Sequence, residues 1–116
     1  AELRARGAQL GPVICVIARL GAFFATCVIE VCVVRVVHRR ARVSVVLAAQ
    51  VATHPLVWIG MAVLPGAVIV RLSAIELGAV LVEAAIYARY LGLPARVALA
   101  LSAAANAASL LALSWM

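Results

Sequence analysis

Four long apolar stretches, separated by short polar or turn-forming breaks, set the pattern of the chain. The first runs from about Val13 to Val37, opened by Gly11-Pro12 and closed by the basic segment Arg35-Val-Val-His-Arg-Arg-Ala-Arg42. The second runs from about Val43 to Leu64 and stops at the turn signal Pro65-Gly66. The third covers about Ala67 to Leu91 and ends at Gly92-Leu93-Pro94, where glycine suits a helix C-cap and proline the first turn of the next helix. The fourth, about Ala95 to Met116, finishes the chain. At ~1.5 Å per residue, about 20 residues cross ~30 Å of hydrocarbon, so the spacing predicts four transmembrane helices in one domain, with spans 13–37, 43–64, 67–91 and 95–116.

Composition points the same way. A chain of 116 residues with 68% hydrophobic and 12% charged residues lies outside the soluble globular range, and its mean hydropathy of +1.21 belongs in a bilayer. Open sheets are excluded there because lipid cannot satisfy backbone groups, and the alternating ten-residue segments of a β-barrel are not seen. The expected fold is an all-α integral membrane four-helix bundle. The first stretch is too long for the core of a secretion signal and lacks a following A-x-A site. The start at Ala1 is what processing or trimming would leave.

All ten basic residues are arginine. Arg35, Arg39, Arg40 and Arg42 fall in the first loop and Arg89 and Arg96 at the third, against Arg4, Arg6 and Arg71 on the opposite side. Cytoplasmic loops carry the arginine excess, so both termini are expected outside the cytoplasm. The net charge of +6 could suggest nucleic acid, but no aromatic residue is interleaved in Arg35–Arg42 to stack on bases. Setting topology and attracting anionic lipid, at ~1 kcal/mol per arginine, explains the run without nucleic acid. Cys15, Cys27 and Cys32 share one helix, cannot bridge one another, and read as small buried apolar residues.

The chemistry lies in polar residues inside the apolar stretches. Ionisable groups cost roughly 2.5 to 3.5 kcal/mol near the centre of a span and are rare there. On the first helix Arg19, Thr26 and Glu30 fall on one arc at ~100° per residue. On the second, Gln50, Thr53 and His54 cluster before Pro55, which removes a backbone donor, frees the Val51 carbonyl and permits a kink. On the third, Glu76, Glu83 and Tyr87 form a line, and on the fourth Ser102, Asn106 and Ser109 repeat the pattern among alanines that allow close helix approach. Counting depth from the cytoplasmic ends puts Glu30, Gln50, Glu83 and Ser102 in the inner half, with Arg19, His54, Glu76 and Asn106 central or slightly outward. Two groupings are expected: Arg19 neutralising Glu76, and Glu30, His54 and Glu83 converging. Three intramembrane glutamates against one arginine leave a surplus carboxyl that must take a proton, a hydrogen-bond partner or a cation. Trp115 is placed to join an interfacial aromatic belt, and Trp58 reads as packing.

Through Glu30, Thr53-His54-Pro55, Val82-Glu83 with Tyr87, and Ser102-Asn106-Ser109, the sequence resembles small uncharacterised bacterial polytopic membrane proteins with a Thr-Asn/His-Pro and Val-Glu-x-x-x-Tyr pattern. Gln50 departs from that pattern, which has asparagine there more often. The resemblance covers nearly the whole chain and implies no activity. Three classes of function stay open. The leading one is proton or cation translocation, with Glu30, His54, Glu83 and Glu76 as the binding groups and Arg19, Gln50, Thr53, Tyr87, Ser102 and Asn106 in support. Four helices are few for a pore, so a homo-oligomer or a larger membrane complex is expected. A structural or assembly subunit is the second class. An intramembrane metal-dependent enzyme using His54 and the carboxylates is the third, weakened by the lack of HExxH-type ligand pairs. No cofactor and no catalytic residue is implied.

Overall fold

A computed structural model describes residues 1–114 and shows four helices and, among those residues, no strand. They are α1 (Glu2–Val37), α2 (Val43–Val63), α3 (Val68–Tyr90) and α4 (Ala95–Ser114). The fourth expected span ran to Met116, and its last two residues, with the interfacial place expected for Trp115, lie outside the described residues. The breaks fall where turn chemistry requires them. Pro65 restricts Leu64 to an extended conformation, φ −70° and ψ 134°, which ends α2. Gly92 takes a left-handed φ of 66° directly after the α3 cap Leu91, and Gly66 turns the preceding loop at φ 106°.

α1 departs from expectation at its start. It begins at Glu2 rather than near Val13, and Pro12 sits inside it instead of opening it. The added segment holds good helix formers and an Arg6–Glu2 ion pair one turn apart, 2.9 Å long. At ~1.5 Å per residue the 36-residue α1 is ~54 Å long, against ~30 to 35 Å for the others. Its surplus has no neighbours: apart from Gln9, whose side chain is not described, every residue from Ala1 to Gly21 is exposed.

Short loops make the bundle antiparallel, with α1 and α3 on one diagonal and α2 and α4 on the other. Both arginine-rich breaks therefore lie at one end. There the arginines also bind backbone: Arg42 Nη2 donates to the Tyr90 carbonyl at the end of α3 (2.8 Å), and Arg35 Nη1 to that of Ala41 (3.0 Å). The first satisfies a helix-terminal carbonyl that has no partner within the helix, and the second ties the loop back to the end of α1. At the far end Arg71 Nη1 donates to Met61 O (2.9 Å), tying α3 to the end of α2.

The packed core sits at the basic end. Val34, Val46, Ala49, Tyr87, Ala98 and Leu101 are buried there, and the small residues let the helices approach closely. Of the cysteines only Cys27 is buried. Cys15 and Cys32 are exposed, correcting the expectation for them, because Cys32 lies on the face opposite Glu30 and Cys15 lies on the unpartnered part of α1. Three helices, α1, α2 and α4 as far as Ala112, are long and apolar enough to cross a membrane. α3 has the length, but Arg71, Glu76, Glu83 and Arg89 break up its apolar character.

A Cβ built on Gly92 meets no atom within 4 Å, so only backbone strain opposes a side chain there. Gly92→Ala is expected to destabilise the protein by about 1 kcal/mol, read as a lowered Tm in detergent, with helix content retained.

Candidate functional site

Glu30, Gln50, Glu83 and Ser102 each lie seven residues from the basic end of their helix, two turns in. In an antiparallel bundle equal offsets mean equal depth, ~10 Å from that end. Glu30 and Ser102 are fully buried, Glu83 is 1% exposed and Gln50 2%.

The four helices meet through these side chains. The Gln50 amide nitrogen donates to Glu30 Oε2 and to Glu83 Oε1, the latter at 3.1 Å, so both of its hydrogens are used between two carboxyl groups. Asn106 Nδ2 on α4 donates to Glu83 Oε2 (2.6 Å) and to the Ser102 carbonyl (2.9 Å). Ser102 Oγ donates to the Val80 carbonyl on α3 (2.8 Å), and the Tyr87 hydroxyl reaches Glu30 Oε2 at 3.4 Å. The diagonal pair α1 and α3 are thus linked by long polar side chains through the centre.

Thr53 adds a choice. Its Oγ1 lies 3.0 Å from Glu83 Oε1 and 3.0 Å from the Ala49 carbonyl, but a hydroxyl has one proton to donate. With Glu83 ionised the hydroxyl can turn to the carboxylate. With a proton on Glu83 Oε1 it can accept from Glu83 and donate to Ala49. The surroundings of Glu83 thus accept either protonation state without repacking.

The two glutamates are not equivalent. Glu83 receives donors on both oxygens, whereas Glu30 Oε1 is buried with no hydrogen-bond partner. Among the described residues the ion pair found is Arg6–Glu2, so no guanidinium balances either buried carboxyl. An unpaired charge in such an interior is costly unless a proton, a cation or water completes the shell.

On the side of the network away from the basic end lies a cavity of about 110 Å³ lined from all four helices, by Thr26, Thr53, His54, Glu76, Asn106 and Ser109 among others. At ~30 Å³ per molecule it has room for several waters. Ser109 Oγ on its wall is buried without a partner. On the basic side the core of Val34, Val46, Tyr87 and Leu101 closes over the network, leaving the cavity on one side only.

The expected groupings change accordingly. His54 does not join Glu30 and Glu83 by any hydrogen bond. It shares the cavity with Glu83, but its half-buried ring packs on Phe23 at 4.7 Å and edge-on to Trp58 at 5.2 Å. The buried arc of α2, from Val45 to Thr53, is centred between Ala49 and Thr53, and His54 stands ~110° round from that centre. Gln50 fills the place expected for the imidazole. Arg19 makes no ion pair with Glu76. It is exposed on an unburied stretch of α1, and its guanidinium lies 6.0 Å from the Trp58 ring instead. Glu76 is half-buried on the cavity wall and makes no hydrogen bond or ion pair.

Among the described residues no three His, Cys, Asp or Glu side chains come together in a way that could hold a metal ion, so the metal-dependent reading has no ligand set. No protein family, curated protein or solved structure matches the chain.

Removing the shared amide tests the network. Gln50→Leu is expected to destabilise the protein by about 3 kcal/mol, since it strips a donor from each of two buried carboxyls. Adding Glu30→Leu should recover part of that loss, so a double-mutant cycle read by thermal unfolding in detergent should show strong coupling.

Proposed function

We propose that the chain is an integral membrane protein crossing the bilayer four times, with both termini on the side away from the cytoplasm, and that it moves protons or a small cation through the Glu30–Gln50–Glu83 cluster. The carrying observation is Glu30: fully buried, with one carboxyl oxygen unpartnered, beside a second carboxyl and no balancing cation. An intramembrane ionisable residue in that condition is a site for a mobile charge rather than a packing element.

Membrane insertion accounts for the exposed apolar surface. Leu47, Val51, Leu77, Leu81 and Leu111 would face acyl chains, while the polar groups turn inward. α3 enters with its neighbours because its two glutamates are directed to the interior, not to lipid. The arginine-rich end fits the cytoplasmic side and anionic headgroups. The resemblance to small bacterial polytopic membrane proteins is in keeping with an inner-membrane location.

The mode of movement follows from the cavity lying on one side of the network only. With the basic side closed by Tyr87, Val34 and Leu101, a charge bound from the cavity leaves toward the cytoplasm only after helices rearrange. That is carrier behaviour, not an open pore, and four helices favour a second copy or another subunit against which to move.

The test is flux. In liposomes carrying an internal pH dye, with an imposed ion gradient, the wild-type protein is expected to carry protons or an alkali cation. Glu83→Gln should reduce the rate at least tenfold while circular dichroism stays helical. Flux equal to that of empty liposomes, or a full rate in the variant, would overturn the reading.

A further inference from the structure

Next to the polar cavity, an apolar groove of about 360 Å³ runs between α2 and α3. Its rim residues Leu56, Ile59, Val63 and Val82 are exposed, so in a bilayer it opens sideways to the acyl chains. Close approach keeps it shallow at one point, where a Cβ on Gly60 would lie 3.0 Å from the Ile75 side chain. Elsewhere it is roomy, and a Cβ on Gly78 meets no atom within 4 Å.

Groove and cavity are neighbours with a common wall, because Thr53, Val57 and Ala79 line both. The side chains of Thr53, Val57 and Ala79 stand between the two, so a molecule in the groove reaches the cavity once Thr53 and Val57 turn aside. The chemistry changes along that path: the groove is apolar, whereas the cavity has Glu76, without hydrogen bond or ion pair, and Glu83 on its wall. No arginine lines it, the ring of His54 is turned to Phe23 and Trp58, and the buried Ser109 Oγ lacks a partner.

We propose that groove and cavity together form a binding site for an amphiphilic organic cation, its apolar body between α2 and α3 and its cationic nitrogen beside Glu76 and Glu83. The argument is charge complementarity: two carboxyl groups face a space with no counter-charge, behind a lipid-facing entrance that only an apolar body crosses cheaply. A volume of 360 Å³ is within the usual range for small-molecule sites. An anionic or neutral lipid would leave the carboxyls uncompensated. This proposal rests on the reading of the chain as a membrane protein with a mobile-charge site, and names the cargo class of that site.

The experiment uses the full chain in phosphatidylcholine nanodiscs, titrated well below micellar concentration with decyltrimethylammonium and, as a control of equal chain length and opposite charge, decyl sulfate. Binding is measured by calorimetry with empty nanodiscs subtracted. Saturable binding of the ammonium but not the sulfate is expected. Glu76→Gln, on a half-exposed side chain without hydrogen bonds, and Gly78→Leu, which fills the groove away from the carboxyls, should each weaken it at least tenfold with helix content unchanged. Equal binding of both probes, no saturable binding, or binding that both variants leave intact would overturn the proposal. A tightly retained phospholipid that the ammonium fails to displace would do so too, assigning the groove to lipid. Flux lost in Glu83→Gln without ammonium binding would sink the cargo assignment alone, whereas absence of both would sink the translocation reading with it.

Discussion

One amide holds the centre of this bundle. Gln50 divides its two hydrogens between Glu30 on α1 and Glu83 on α3, and without that bridge two carboxyl groups would face each other in an interior with no cation. Hydrogen bonds to charged groups contribute roughly 1.5 to 3 kcal/mol each, more than most contacts between apolar helices in lipid, where no hydrophobic force draws the helices together. The rest of the architecture follows. Alanines at Ala49, Ala84 and Ala98 bring the backbones close enough for the side chains to meet, and Asn106 and Thr53 supply the donors that Gln50 cannot.

The equal depth of the network comes from chain geometry. Each polar residue stands seven positions from a helix end at the basic side, and the loops there are too short to let one helix slide against the next. Arg42 on Tyr90 O fixes the first loop to the end of α3, so arginines that orient a chain in a membrane also hold register. A sequence change that moved one helix by a single residue would rotate its polar group ~100° away from the centre.

Much of this was legible beforehand. The apolar stretches placed all four helices except for the start of α1, the turn residues placed the breaks within a residue or two, and the inner layer of Glu30, Gln50, Glu83 and Ser102 could be counted from the ends. What failed was angle and splay. Gln50 and His54 are four residues apart and share a face on a helical wheel, but only packing decides which of them sits nearer the centre of the buried arc, and the neighbours of Ala49 favour Gln50. Arg19 does lie on the arc of Glu30, yet it falls where α1 is no longer buried, and no wheel reports where along a helix burial stops. The helical run before Pro12 was hidden for a related reason: proline disfavours but does not forbid a helix interior.

The two ends of the bundle differ in a way that bears on motion. The basic end is closed by Val34, Val46, Tyr87 and Leu101, while the other half holds a cavity, a side groove and an α1 that stands free. Between them the backbone ladder of α2 is weakest. Pro55 has no N–H for the Val51 carbonyl, and the Ala49 carbonyl is shared with the Thr53 hydroxyl. That hydroxyl also faces Glu83, so a change in the proton on Glu83 alters what it asks of the Ala49 carbonyl, nearly two turns before the proline. A charge event at the buried carboxyl and the hydrogen bonding of the α2 backbone are thereby joined through one side chain, between the closed basic end and the half that holds the cavity.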